Sequence, residues 1–282
     1  MSFLYIFAKR FVAGEELSEA IPAIKALNEK GIMVTFDHLG ENVTTEEMAK
    51  SAADTYLDLL DVIKKEGLNS NVSVKLTQMG LDLGDEFCLN NVERIVKKAQ
   101  ELNNFVRIDM EGSAYTQRTL DITYKLFEKY QNVGVVIQAM LLRSEEDVKE
   151  LNKRGIRVRL CKGAYKEPAS VAYQKKEQVN ENYLKLMKIL LTEGKYPGIA
   201  THDEKIIEEC KRYISENKIE SSRFEFQMLY GIRRDLQLQL VKEGFNMRVY
   251  VPYGKEWFPY FYRRLRERKE NLFFVMKNFF KG

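Results

Sequence analysis

Three charged side chains lie inside, or directly at the end of, apolar runs where an unpaired charge is costly to bury. They are Lys75 in Ser73-Val74-Lys75-Leu76-Thr77, Asp109 in Arg107-Ile108-Asp109-Met110-Glu111, and Arg159 in Val158-Arg159-Leu160. Buried charges persist when they neutralise one another, so these three are expected to form one cluster. A desolvated lysine near other cations has a lowered pKa and can attack a carbonyl, which makes Lys75 and Lys162 candidate Schiff-base nucleophiles of a lyase or aldolase. Asp109 is a candidate base or a charge-balancing partner. Arg263 and Arg264 are adjacent. On a helix they project about 100° apart and can converge on one anion. Arg266, Arg268 and Lys269 follow closely, so a basic face with Glu267 as partner fits the spacing too.

Such side chains need a frame to hold them. Short β-branched runs recur at 32–36, 72–76, 105–108, 135–137, 156–160, 198–200, 224–226 and 247–251, and each predicts a strand. Amphipathic segments of helical period follow them at 44–65, 91–102, 116–130, 145–153, 171–193, 204–216, 233–244 and 256–270. Thr44 or Thr45 can cap a helix, and Gly67, Gly155, Gly194 and Gly244 stand where helices should stop. This alternation means a parallel sheet with crossover helices, either open or closed. An open sheet usually carries G-x-G-x-x-G after its first strand, whereas here Asp37-His38-Leu39-Gly40-Glu41 follows and that motif is absent. About eight units in some 250 residues is barrel size. The expectation is an α/β (β/α)₈ barrel in one domain, with residues 1–30 as a helical lead-in, 31–282 as the barrel and a C-terminal helix over its mouth.

Barrel chemistry sits at the C-terminal ends of strands. Those ends read Asp37/His38, Lys75/Thr77, Asp109/Glu111, Gln138, Arg159/Lys162, Thr201/His202, Gln227 and Tyr250. Composition narrows the chemistry further. The 45 basic and 41 acidic residues are interleaved and leave a net +4, which predicts no nucleic-acid partner. Two histidines make a His-rich metal site improbable. Three scattered cysteines, Cys88, Cys161 and Cys210, fit a reducing cytoplasm. The apolar stretch Phe3-Leu4-Tyr5-Ile6-Phe7-Ala8 is too short to span a bilayer and reads as a turn of amphipathic helix.

Several of these segments match a known family. Val158-Arg159-Leu160-Cys161-Lys162-Gly163-Ala164-Tyr165 resembles the R-L-x-K-G-A-Y motif of proline dehydrogenases. Phe224-Glu225-Phe226-Gln227-Met228-Leu229-Tyr230-Gly231 is similar to their F-E-F-Q-x-L-x-G segment. Tyr250-Val251-Pro252-Tyr253-Gly254, then Trp257, Tyr260, Arg263, Arg264, Glu267 and Asn271, resembles their C-terminal signature. The segments around Lys75 and Asp109, and Ala200-Thr201-His202-Asp203, match as well, all in the family's order. Monofunctional members carry further helical sequence before the segment that matches Phe11-Val12-Ala13-Gly14-Glu15.

The resemblance implies a flavoprotein that oxidises L-proline to Δ1-pyrroline-5-carboxylate and passes the electrons to a quinone. FAD would do the redox chemistry while the protein orients and stabilises charge. Arg263, Arg264 and Lys75 would hold the proline carboxylate, with Asp109 offsetting the excess charge, and Leu229 and Tyr250 would wall the ring. Arg159 would lie against the flavin, or else form a structural ion pair with Asp109 or Glu111. Lys162, Gly163 and Ala164 would meet the FAD phosphates or ribityl chain. Met110, Gln138, Thr201, His202 and Gln227 complete the implied cofactor contacts. The stretch with Phe273, Phe274, Phe279 and Phe280 reads as a packing helix, with contact to a membrane or quinone donor as the alternative. That alternative carries the expectation of peripheral attachment to the inner face of the membrane.

Overall fold

The computed structural model describes residues 3–267. Eight parallel strands close on themselves in sequence order: β1 (Met33–His38), β2 (Ser70–Val74), β3 (Val106–Ile108), β4 (Val133–Gln138), β5 (Arg157–Cys161), β6 (Gly198–Ala200), β7 (Glu225–Leu229) and β8 (Met247–Tyr253). Closure is made by β1 against β8, where Met33 to His38 pair in register with Arg248 to Tyr253. Six helices join successive strands: α3 (Glu46–Lys65), α4 (Asp85–Glu101), α5 (Thr116–Tyr130), α6 (Ser144–Arg154), α7 (Lys176–Glu193) and α8 (Glu204–Glu216). The seventh connection is α9 (Arg234–Lys242). The lead-in holds α1 (Phe3–Ala8) and α2 (Leu17–Asn28), and α10 (Trp257–Glu267) follows the last strand.

Local chemistry explains the punctuation. Thr45 caps α3, its hydroxyl accepting from the Met48 amide, with two glutamates in the first turn beside the helix's positive end. Gly155 ends α6 with φ of 74°, a left-handed conformation that glycine adopts without a Cβ penalty. Gly194, expected to act likewise, ends α7 in an extended conformation instead.

The main core lies between the helices and the outer faces of the strands, where Val34, Phe36, Val72, Val74, Val106, Ile108, Val158, Leu160 and Phe226 are buried. The barrel lumen is different in kind. Thr35, Asp37, Ser73, Arg107, Arg159, Glu225, Gln227 and Arg248 are buried in the strands, and a chain of hydrogen bonds through Thr35, Arg159, Gln227, Glu225 and Arg248 runs across the interior. A second, smaller apolar cluster gathers Tyr5, Phe7, Phe11, Leu39, Ile232, Trp257, Tyr260 and Phe261, with Leu229 and Tyr250 against it. It seats α1 and α10 against the barrel mouth. Among the described residues no helix is long and apolar enough to cross a membrane. The four phenylalanines from 273 to 280 lie outside the described residues.

Candidate active site

Six strands deliver polar side chains to one connected cluster at the mouth. Lys75, just past β2, donates from Nζ to both oxygens of Asp37 at 3.1 and 3.2 Å and lies 3.7 Å from Asp109 Oδ2. It also donates to the Tyr250 hydroxyl at 3.3 Å. Tyr250 in turn donates to Asp109 Oδ2 at 2.9 Å. The other Asp109 oxygen accepts from Ser73 at 2.6 Å and from Arg159 Nη1 at 2.9 Å. Arg159 is completed by Thr35 at 3.3 Å and Gln227 at 2.5 Å. From helix α3, Tyr56 donates to Asp37 at 3.2 Å. Asp37 is fully buried and Lys75 only 7 % exposed, so the two cations are balanced by two carboxylates away from water.

These surroundings set the protonation states. Burial alone would lower the pKa of Lys75, but Asp37 and Asp109 reverse this and raise it above the ordinary lysine value. A Schiff-base nucleophile needs a free amine, so the structure argues against that alternative for Lys75. Lys162 is paired with Asp203 at 2.7 Å. Burial pushes the Glu111 carboxyl up, although Thr77 donates to it from its amide at 3.0 Å and its hydroxyl at 2.5 Å. The Tyr165 hydroxyl is pushed up to about 12 by burial and by the charge of Glu111.

Arg263 and Arg264 stand on α10, the helix whose apolar residues pack over the same mouth. Arg264 is 8 % exposed, with its guanidinium 5.1 Å from the centre of the Tyr260 ring. Arg263 donates to Glu41, in the loop after β1, at 2.8 Å. Burial opposes the Arg263 charge, while Glu41, Tyr165 and Tyr250 favour it.

The remaining candidates sit on the rim from β3 to β7. Gln138 donates to the carbonyls of Met110 and Glu111 at 3.0 and 2.9 Å, and its buried Oε1 has no hydrogen-bond partner. Met110 itself belongs to the main apolar core. Gly163 has φ of 107°, and a Cβ there would run into the Met140 side chain. Its close backbone approach is therefore to Met140. Ala164 follows in the same loop, which Glu167 fastens to the β3 side by accepting from the Ser113 amide at 2.7 Å and from its hydroxyl. Thr201 is buried, and its hydroxyl accepts from the Asp203 amide at 3.1 Å. His202 Nε2 accepts from the Leu229 amide at 2.9 Å.

Sequence reasoning did not assign roles to Asp37, Glu41, Tyr56, Ser73 or Glu225. Ser73 and Glu225 carried a signal, since each stands two residues from an assigned site residue and so shares its side of the strand. Tyr56 and Glu41 lie on a helix and a loop whose local pattern gives no hint of the lumen.

A charged, internally compensated cluster at the C-terminal mouth of a closed eight-stranded parallel barrel defines a (β/α)₈-barrel enzyme. The family model for proline dehydrogenase matches residues 20–277. Proline dehydrogenase 2 of Bacillus subtilis is 43% identical over 272 residues, 96% of this chain and 90% of the relative. The proline dehydrogenase of Deinococcus radiodurans is 40% identical over 284 residues, covering 99% of this chain and 92% of the relative. Proline utilization A from Bdellovibrio bacteriovorus superposes with a TM-score of 0.87 at 29% identity over 93% of this chain. This chain spans 32% of that longer one. The chain belongs to the proline dehydrogenase family and is an oxidoreductase.

Proposed function

We propose that this enzyme oxidises L-proline to Δ1-pyrroline-5-carboxylate with FAD as its cofactor and passes the electrons to a quinone. The observation that carries the reading is the return of α10 over the mouth. It brings Arg263 to Glu41 in the loop after β1, beside a lumen that already holds Lys75, Tyr250, Asp109 and Arg159, with Arg264 buried next to it on the same helix. Three fixed cations suit the carboxylate of a small amino acid, and planar guanidiniums bind it bidentately. Arg263 would exchange Glu41 for that carboxylate. Tyr250 and Leu229, both against the α10 cluster, would hold the ring.

The rim residues fit a flavin. Gln138 Oε1 is a buried acceptor lacking a donor, and a flavin edge supplies N–H groups. Lys162 offers positive charge beside a glycine turn, as a phosphate chain requires. Thr201, His202, Ala164 and the Met110 carbonyl line the same arc of strand ends. When bound, FAD supplies the two-electron acceptor for the hydride that leaves the proline carbon next to nitrogen. The ring ammonium would first lose one proton to solvent. As the C–H electron pair leaves, the freed nitrogen lone pair forms the C=N bond, and the remaining N–H proton of the iminium then goes to solvent. Arg159 stabilises developing negative charge on the cofactor side, and Asp109 holds Arg159, Tyr250 and Ser73 in place.

Anaerobic addition of L-proline to the FAD-loaded protein tests the reading. Flavin absorption should bleach, and a short-chain quinone should restore it. A flavin that stays oxidised would overturn the assignment of proline, and bleached flavin that a quinone fails to reoxidise would overturn the acceptor.

A further inference from the structure

β7 presents Glu225 and Gln227 to the lumen two residues apart, and both are buried. Gln227 Oε1 accepts from Arg159 Nε at 2.5 Å, while Gln227 Nε2 donates to Glu225 Oε1, also at 2.5 Å. Glu225 is anchored from β8, where Arg248 Nε donates to the same oxygen at 2.7 Å and Arg248 Nη1 donates to the Val34 carbonyl at 2.7 Å. Burial raises the Glu225 pKa, but Arg248, Gln227 and Arg107 together outweigh it and the net shift is downward, so the carboxylate paired with Arg248 is ionised.

A side-chain amide has one donor end and one acceptor end of nearly equal shape. A carboxylate only accepts. Glu225 therefore fixes the Gln227 NH₂ toward itself and leaves the Gln227 oxygen for Arg159. Strand β6 makes room for this arrangement: Gly198 has no side chain, and a Cβ there would fall on the Gln227 amide.

We infer that Glu225 is a positioning residue for proline oxidation, acting through the Gln227 amide to set the plane of the Arg159 guanidinium. The inference rests on the reading above that Arg159 lies against the flavin. With the amide reversed, Gln227 N–H would face Arg159 Nε–H, and Arg159 would keep only its Nη contacts to Asp109, Ser73 and Thr35. A guanidinium free to turn stabilises a reduced flavin less well.

The test uses the FAD-loaded enzyme. Glu225→Leu, which removes the acceptor that Gln227 Nε2 faces, should slow anaerobic bleaching by proline about tenfold, the effect of losing one hydrogen bond to a charged group. It should also lower the flavin midpoint potential and leave the half-saturating proline concentration unchanged. The double variant E225L/Q227E places at 227 a carboxylate, which has no donor end to be oriented, so an acceptor again meets Arg159, and it should recover both rate and potential. Gly198→Ala crowds the same amide from β6 with Glu225 intact. It should reproduce the slowed bleaching and lowered potential, and it serves as the test if Glu225→Leu does not fold. Wild-type rate and potential in Glu225→Leu or, failing its folding, in Gly198→Ala, or a double variant no better than the single, would overturn the inference. A wild-type enzyme that proline does not bleach would instead overturn the proposed function.

Discussion

Lys75 is held charged by two carboxylates, and that limits what the residue can do. With its pKa raised above the ordinary lysine value, the amine is protonated at neutral pH and serves as a fixed cation. Borohydride treatment in the presence of small carbonyl compounds should therefore leave Lys75 unmodified by mass spectrometry. Lys75→Met should be costly. It leaves Asp37, fully buried, without its counter-charge, and breaking such a pair costs about 3–5 kcal/mol. Chemical denaturation should show that loss, and a stability within about 1 kcal/mol of wild type would refute the pairing argument. Lys75, Asp109 and Arg159 were legible in the sequence because each interrupts an apolar run. Asp37 was legible only as a strand end, and Tyr56 not at all. Its hydroxyl reaches the lumen from α3, a contact that no local pattern encodes.

At the scale of single elements, Asp203 joins a helix cap to the rim. Its side chain accepts from the Lys205 amide at 3.2 Å to cap α8, and its other oxygen holds Lys162 at 2.7 Å. Burial raises the Asp203 pKa, but Lys162 and the cap overcome it, and the net shift is below 3.8. A depressed folded-state value means that the pair contributes stability above about pH 4 and loses it as pH falls through the folded pKa. The denaturation midpoint of the wild type should drop across that acid window, while Asp203→Asn, which still caps, should be flatter. Asp203→Ala should lose about 1 kcal/mol at neutral pH by removing the cap. A wild-type acid profile as flat as that of the asparagine variant would refute the linkage.

Most elements were readable from periodicity, and α5, α8 and β6 have the predicted bounds. The departures have local causes. Helix α7 starts at Lys176 rather than 171, because Ala172 forms an antiparallel bridge with Leu141. Helix α4 starts earlier, at Asp85, where Gly84 breaks the preceding turn and two acidic residues open the helix. β2 starts at Ser70, ahead of the predicted apolar run, because its first residues, Ser70 and Asn71, are polar. In a barrel with a polar lumen the apolar alternation weakens, and strand ends blur.

Taken whole, the molecule separates stability from entry to the site. The barrel carries the large core, whereas the mouth is covered by a small cluster in which Tyr5 lies 5.2 Å from Trp257 and Phe11 6.1 Å from Phe261. Phe261 is fully buried there, and truncation of a buried phenylalanine costs about 3–5 kcal/mol. Because α10 lies outside the strand ladder, Phe261→Ala should release that helix before the barrel. Amide exchange should quicken along α10 and proline affinity should fall, with the exchange of β1 to β8 little changed. Uniformly faster exchange across the barrel would show that the cluster is instead part of one cooperative unit.

One consequence concerns how the chain tolerates cutting and joining. Helices α1 and α10, from its two extremes, meet above the opening through which an amino acid must pass. The turns at Gly155 and Gly244, at the opposite end and with open space beside them, are where an inserted segment would be borne without loss of turnover.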